Sequence, residues 1–258
     1  MLARFSLLAL LAGCDLALGV SGQPDPCPLA KFANPNQDNV VEADLFSIDW
    51  DQQLAVIQRG GIAYEVTLTD KSETLIDLGP YSPASLALAP EGGALFYAVS
   101  IEPLTLKGAL RRGTAEWQLD AEVPRGTFAG TPSADAFGPR RVLVRMLSYS
   151  TTIQEYEVDE HGHWETVGEP FDFAGDLAPN LTPNGLTMVY SAKDSLGQPG
   201  VYAASRDDVD SPFGKPFLLR AGALQYPQLC GKCQQLYALV PNPDLASTNR
   251  SVLVRFDR

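Results

Sequence analysis

Cys230-Gly231-Lys232-Cys233 is a C-x-x-C pair, which in other settings performs dithiol redox chemistry or holds half of a zinc site. Redox pairs of that kind open a helix after a strand, and the helix start lowers the thiol pKa. Here the pair occupies a tight turn between two apolar, strand-like runs, so no helix is expected to activate it. A structural zinc site needs four ligands, and beyond the leader only Cys27, His161 and His163 remain, all distant in sequence. A disulfide is the expected use of these thiols, because the export expected from the leader described below implies an oxidising compartment. Cys230 with Cys233 would be a local bridge. Cys27 with either one would close a long loop, which chain entropy favours where geometry allows it. Sequence leaves these pairings open.

His161 and His163 flank Gly162 in an expected hairpin, with Glu165 close by. Alternate residues of a strand share a face, so two imidazoles and a carboxylate have metal-ligand spacing. No neighbouring motif completes a site, and a solvated turn is the expectation, with no metal and no cofactor. Gly-x-Ser-x-Gly is absent. The two histidines, on an outer hairpin, do not suit a Ser-His-Asp hydrolase. Asp44, Asp49, Asp135 and Asp176 lie near expected strand starts and form the remaining acid/base candidates. Such a pair works only if it converges on one bond. With 31 acidic residues in the chain, proximity alone is expected by chance, so no catalytic residue is assigned.

What must position these groups follows from the whole chain of 258 residues, long enough for one large all-β domain. Its 20 prolines and 22 glycines are scattered along the chain, which fits frequent turns between short strands rather than helices. The formal net charge of −12 repels phosphates, so nucleic acid is not an expected partner.

The N-terminus has a separate logic. Arg4 precedes an uncharged apolar run, Phe5 to Ala12, too short to cross a bilayer but suited to the hydrophobic region of a signal peptide. Leu11-Ala12-Gly13-Cys14 then resembles a bacterial lipobox. That resemblance implies cleavage before Cys14 and lipidation of Cys14. The several acyl chains added there would supply more than the single chain that binds membranes only marginally. In enteric bacteria an aspartate after the lipidated cysteine, here Asp15, favours inner-membrane retention; the rule varies between bacteria, so inner and outer membranes both stay open. The expected division is a signal peptide over 1–13, an extended tether over 14–39, rich in Gly, Pro, Asn and Gln, and a folded domain over 40–258.

The domain repeats. Leu86 to Tyr97, Asn180 to Tyr190 and Gln228 to Ala238 each combine a strand-like end, a tight polar turn and an apolar strand. Weaker copies occur at Ser47 to Ile57 and Pro132 to Met146. The apolar anchors Leu54, Leu95, Leu143, Met188 and Leu236 recur about every 45 residues, the period of a four-stranded propeller blade. Alternating runs follow at Gly61 to Leu68, Thr152 to Val158 and Gly200 to Arg206, as the outer hairpin of each blade requires. The turns Leu88-Ala89-Pro90-Glu91-Gly92 and Leu181-Thr182-Pro183-Asn184-Gly185 resemble the TolB-type, WD40-like propeller repeats of bacterial envelope proteins. That family carries aspartate where this chain has Glu91, Asn184 and Lys232.

The expected fold is all-β: a propeller of five blades of four antiparallel strands, with six as the alternative. The final unit lacks a fourth strand, and a segment near Val40-Val41 is expected to supply it by pairing with residues 250–258. The expected function is that of a non-enzymatic, lipid-anchored envelope protein whose propeller binds protein or glycan partners. The alternative is a glycosidase-like hydrolase using channel-facing carboxylates.

Overall fold

The computed structural model describes residues 27–32, 35–51, 53–80, 82–89, 92–99, 104–113, 116–119, 126–128, 134–137, 141–145, 152–158, 164–172, 179–241 and 251–258. Residues 1–13, where a signal peptide is expected, and Cys14, His161, His163 and Asp176 lie outside the described residues, and β11, which carries Asp135, is described by its backbone.

The described residues form five antiparallel sheets. The first contains β2 (Leu45–Ile48), β3 (Leu54–Arg59), β4 (Ile62–Thr67) and β5 (Glu73–Ile76). The second contains β6 (Pro83–Leu88), β7 (Ala94–Val99) and β8 (Leu104–Gly113), with β9 (Glu116–Leu119) and β10 (Gly126–Phe128) both paired to β8. The third contains β11 (Ala134–Phe137), β12 (Arg141–Arg145), β13 (Thr152–Val158) and β14 (Trp164–Asp172). The fourth contains β15 (Asn180–Leu181), β16 (Thr187–Lys193), β17 (Pro199–Ser205) and β18 (Phe217–Ala221). The fifth contains β19 (Gln225–Cys230), β20 (Gln235–Pro241) and β21 (Ser251–Asp257), and is completed by β1 (Pro35–Ala43).

The first strands of the sheets touch in cyclic order: β2 with β6, β6 with β11, β11 with β15, β15 with β19, and β19 with β2. The sheets therefore stand round an axis, as in a β-propeller. The five apolar anchors all fall on second strands, and those whose burial is described, Leu54, Leu95, Met188 and Leu236, are at most 5% exposed. Apolar side chains fill the seams between sheets. Ile57, Val66, Leu239 and Leu253 pack between the fifth and first sheets, and Val56, Leu86, Leu95 and Tyr97 between the first and second. Burial of this kind contributes about 1.5–3 kcal/mol per large apolar side chain.

β1 pairs with β21 through Val41 opposite Leu253, Glu42 opposite Val252 and Ala43 opposite Ser251. The fourth strand of the last sheet thus comes from the start of the domain, as the Val40-Val41 segment suggests. Its pairing is interrupted: Pro35 and Asn36 oppose Phe256 and Arg255, and the register then shifts before Val41.

The boundary expected between residues 39 and 40 falls inside β1, so the tether reading does not hold for residues 27–39 that are described. Cys27 and Phe32 are each only 4% exposed. They belong to the apolar cluster between the fourth and fifth sheets, beside Val201, Leu219, Leu236 and Phe256. The polar composition of that stretch concealed two anchors that bury against distant parts of the chain.

Candidate functional site

The repeat turn is built the same way in four sheets. The N–H of Asp49 donates to Leu54 O (3.0 Å), that of Ala89 to Ala94 O (2.8 Å) and that of Thr182 to Thr187 O (2.9 Å). In the fifth sheet Cys230 is paired with Gln235 at the same point. These hairpins share one end of the ring. Gly92 (φ 69°) and Gly185 (φ 70°) take the left-handed position of their turns, which costs glycine little. A Cβ on Gly92 would also meet Leu54 Cδ2 at 3.3 Å. Cys233 occupies the equivalent position at φ 66°, following Gly231 and Lys232, both at φ 55°. The C-x-x-C is therefore a left-handed turn with no helix behind it.

Its two sulfurs face opposite ways. Cys230 packs in the cluster between the fifth and first sheets, and Cys233 in the cluster between the fourth and fifth. Cys27 lies in the latter and is joined to Cys233 by a disulfide, with the Cα atoms 5.7 Å apart across 206 residues of sequence. Which cysteine Cys27 reaches is a matter of sheet face, a property that the spacing in C-x-x-C does not state.

The acidic candidates separate. Asp44 Oδ2 accepts the Gly60 N–H (2.7 Å) at the start of β2. Asp49 Oδ1 accepts the N–H groups of Gln53 (2.8 Å) and Leu54 (2.9 Å) beyond its end. Five residues of extended chain put the two about 16 Å apart. Glycosidase carboxyl pairs need about 5–9.5 Å. Burial pushes the Asp49 carboxyl above the ordinary aspartate range, opposed by its two amide bonds. Both aspartates hold turns. Glu165, the carboxylate beside the histidines, is exposed on β14.

Polar side chains also tie neighbouring first strands together. Ser47 Oγ accepts the Leu88 N–H (2.8 Å) from the next sheet. Gln228 bonds both the N–H (3.0 Å) and the carbonyl (2.6 Å) of Ile48. By hairpin register Ser47 and Gln228 are equivalent residues, each reaching the same position of the following strand. Around the axis these groups are engaged in ring closure.

Among the described residues, two seams contain an arginine paired with a buried glutamate that sequence reading did not find. Arg111 Nη2 meets Glu65 Oε1 at 2.6 Å, its Nε reaches Oε2 at 3.2 Å, and Trp117 Nε1 donates to Oε2 at 2.6 Å. Between the third and fourth sheets Arg206 Nη2 meets Glu155 Oε1 at 3.0 Å, and Arg206 Nε donates to Gly185 O at 2.8 Å. The pairs are equivalent. Glu65 opposes Val56 and Glu155 opposes Leu143, the third residue of each second strand. Each arginine follows the residue opposite the start of the next second strand, and its N–H donates 2.9 Å to the carbonyl just before that strand, Gly93 O or Leu186 O.

The same register identifies Arg258 as the third member of the arginine series. It follows Asp257, which opposes Gln235, and its N–H donates to Gln234 O (3.2 Å). The glutamate position in the preceding sheet, opposite Val189, is Ala203. Arg258 turns instead to the Cys27–Phe32 segment, donating to Pro28 O and stacking 4.7 Å from the Phe32 ring centre. Arg220 donates to Phe32 O (3.2 Å) and stacks on Phe256 at 4.3 Å. The Phe32 N–H donates to Leu219 O (3.1 Å), and the Cys27 N–H to Thr187 Oγ1 (2.9 Å). Burial holds both guanidinium groups below the ordinary arginine range. The sequence signal for the series is an arginine near the end of three of the third-strand runs, at Arg111, Arg206 and Arg258. Unequal hairpin lengths hide its periodicity.

No family model and no curated protein matches the sequence. Among solved structures the chain is similar to TolB from Acinetobacter baumannii, at 12% identity and TM-score 0.50, over 85% of this chain and 54% of that one. It is also similar to the β-propeller domain of Cps50 (Swd1) from Myceliophteria thermophila, at 12% identity and TM-score 0.46, over 81% of this chain and 68% of that one. The chain spans about half the length of the TolB structure. At such identity the likeness carries the architecture, and that architecture agrees with the cyclic sheets and the repeated turns: the chain has a TolB-like β-propeller fold.

Proposed function

We propose that this protein is an exported, lipid-anchored component of the bacterial cell envelope, and that its propeller serves as a non-enzymatic binding module for protein or glycan partners. The lipobox resemblance at Leu11 to Cys14 supports the anchor, with Cys14 as the attachment point. A propeller joined to a lipidated N-terminus would be presented to partners at a membrane surface while its acidic exterior stays solvated.

The observation that carries the binding-module reading over the hydrolase is the use made of Asp44 and Asp49. Each caps a turn, and the two stand at opposite ends of one short strand. A carboxylate committed to two turn amides is a poor general base, because moving it would break the hairpin that positions it.

The test is a membrane-fractionation experiment on the full-length protein and a Cys14→Ser variant in a bacterial host, with intact-mass analysis of the mature N-terminus. The proposal expects wild type in the membrane fraction with a lipid mass on Cys14, and the variant soluble. Equal membrane association of both, or a mature Cys14 without added mass, would discard the anchor. The two expected glycan or protein partner classes separate by binding of the released domain to a glycan array.

A further inference from the structure

We propose that the Cys27–Cys233 bond is a redox-sensitive lock on ring closure, specific to the fifth sheet. Two independent features of that sheet point to it. Its fourth strand, β1, comes from the other end of the domain and is irregularly paired: between Asn36 and Val41 the register shifts against Arg255 and Leu253. The seam beside it lacks the glutamate that meets the equivalent arginine in two other seams, because that position is Ala203. The Cys27–Phe32 segment compensates for both. It fills the seam with the Phe32 ring, supplies the carbonyls that Arg220 and Arg258 bond, and precedes β1 by only two residues. A pull on the chain before Cys27 reaches Cys233 through the sulfur bond and does not peel β1 from β21.

The lock is held at a conformational cost. Cys233 stands where two other turns place glycine, at φ 66°, and Lys232 before it is also left-handed. Residues other than glycine persist there only where surrounding structure holds them. Cys233→Gly therefore removes the lock while restoring the turn found at Gly92 and Gly185, and Cys27→Ser removes the lock while leaving the turn unchanged.

Opening needs a dithiol reductant. Its thiolate attacks one sulfur of the Cys27–Cys233 bond and forms a mixed disulfide. Its second thiolate then displaces the protein sulfur, leaving two protein thiols and an oxidised dithiol, a transfer of two electrons and two protons. Closure then rests on the β1–β21 ladder and on Phe32.

Hydrogen exchange read by mass spectrometry tests this on the full chain, with and without dithiothreitol, and on Cys27→Ser and Cys233→Gly. The expected result is exchange at least about tenfold faster in β1 and β21 on reduction, with β3 and β4 unchanged. Both variants should show the fast exchange already and should not respond to dithiothreitol. Unchanged exchange in β1 and β21 on reduction would overturn the proposal. So would equal loss of protection in all five sheets, which would make the bond a general stabiliser. The readout does not involve Cys14, so it stands or falls apart from the lipid anchor.

Discussion

Between the third and fourth sheets, Arg206 meets the carboxylate of Glu155, with both side chains almost fully buried; between the fourth and fifth, Arg258 meets a carbonyl and an aromatic ring from a segment 230 residues earlier in the chain. The two arginines occupy one repeat position. What differs is where the compensation comes from. In the first case it is a neighbouring sheet, already present once the repeat folds. In the second it arrives only when the chain's beginning returns to its end. A repeat can place ion pairs at seams between successive units, but the closing sheet has to be completed by a segment from outside the repeat. The chain just ahead of that segment carries the Cys27–Cys233 bond.

The largest effect is expected from breaking the ordinary seam. Glu155→Ala leaves Arg206, only 5% exposed in its side chain, without its carboxylate. Removing one partner of a buried pair costs about 3–5 kcal/mol, and urea denaturation should show a loss of that size. A loss below about 1 kcal/mol would mean that water replaces the carboxylate and the seam is looser than its burial implies.

Breaking the closing seam at Cys27→Ser should cost somewhat less at equilibrium, about 2–4 kcal/mol, because the closing sheet loses the bond that fastens the segment leading into its borrowed strand. The comparison sharpens in the double variant with Glu155→Ala. The sites occupy different seams, so the two costs should add within about 0.5 kcal/mol.

The third effect is alkaline. Burial pushes the Tyr237 hydroxyl up to about 12 in the folded protein, from an ordinary value near 10. The folded state thus disfavours the phenolate. Its contribution is fully present below pH 10 and is lost as pH rises through 12, an effect of at most about 3 kcal/mol. Tyr237→Phe should flatten that part of the stability–pH curve. An unchanged curve would assign the alkaline loss to other groups.

The smallest effect is expected at Glu65→Gln. Arg111 is 30% exposed, so water can solvate it when the charge is lost, and the amide oxygen still accepts a hydrogen bond. A cost of about 1–2 kcal/mol is expected by thermal denaturation, clearly below that of Glu155→Ala. Equal costs would remove the distinction between the wet and the dry ion pair.

Much of the architecture was legible in the residues. The anchors Leu54, Leu95, Leu143, Met188 and Leu236 all mark second strands, because apolar periodicity and turn chemistry are local properties of the chain. The closing strand near Val41 was legible from a deficit, since a last unit with three strands needs a fourth. The use of single side chains was less so. Asp44 and Asp49 looked alike as strand-end acids, yet they stand at opposite ends of β2. Phe32 lay in a stretch whose composition pointed to a tether, and nothing beside it in sequence announced Leu219 or Arg258 as its partners.

By itself, then, the sequence determined the all-β repeat, its turn geometry and the need for a borrowed strand, since apolar patterning and turn chemistry are local and recur from unit to unit. Only the tertiary structure decided that Cys27 joins Cys233 and not Cys230, and that Glu65 and Glu155 serve as seam partners. It also decided that Cys27–Phe32 belongs to the ring. The reason is that alternation along a strand says two side chains face opposite ways, while which sheet stands on each side is settled only when the ring closes.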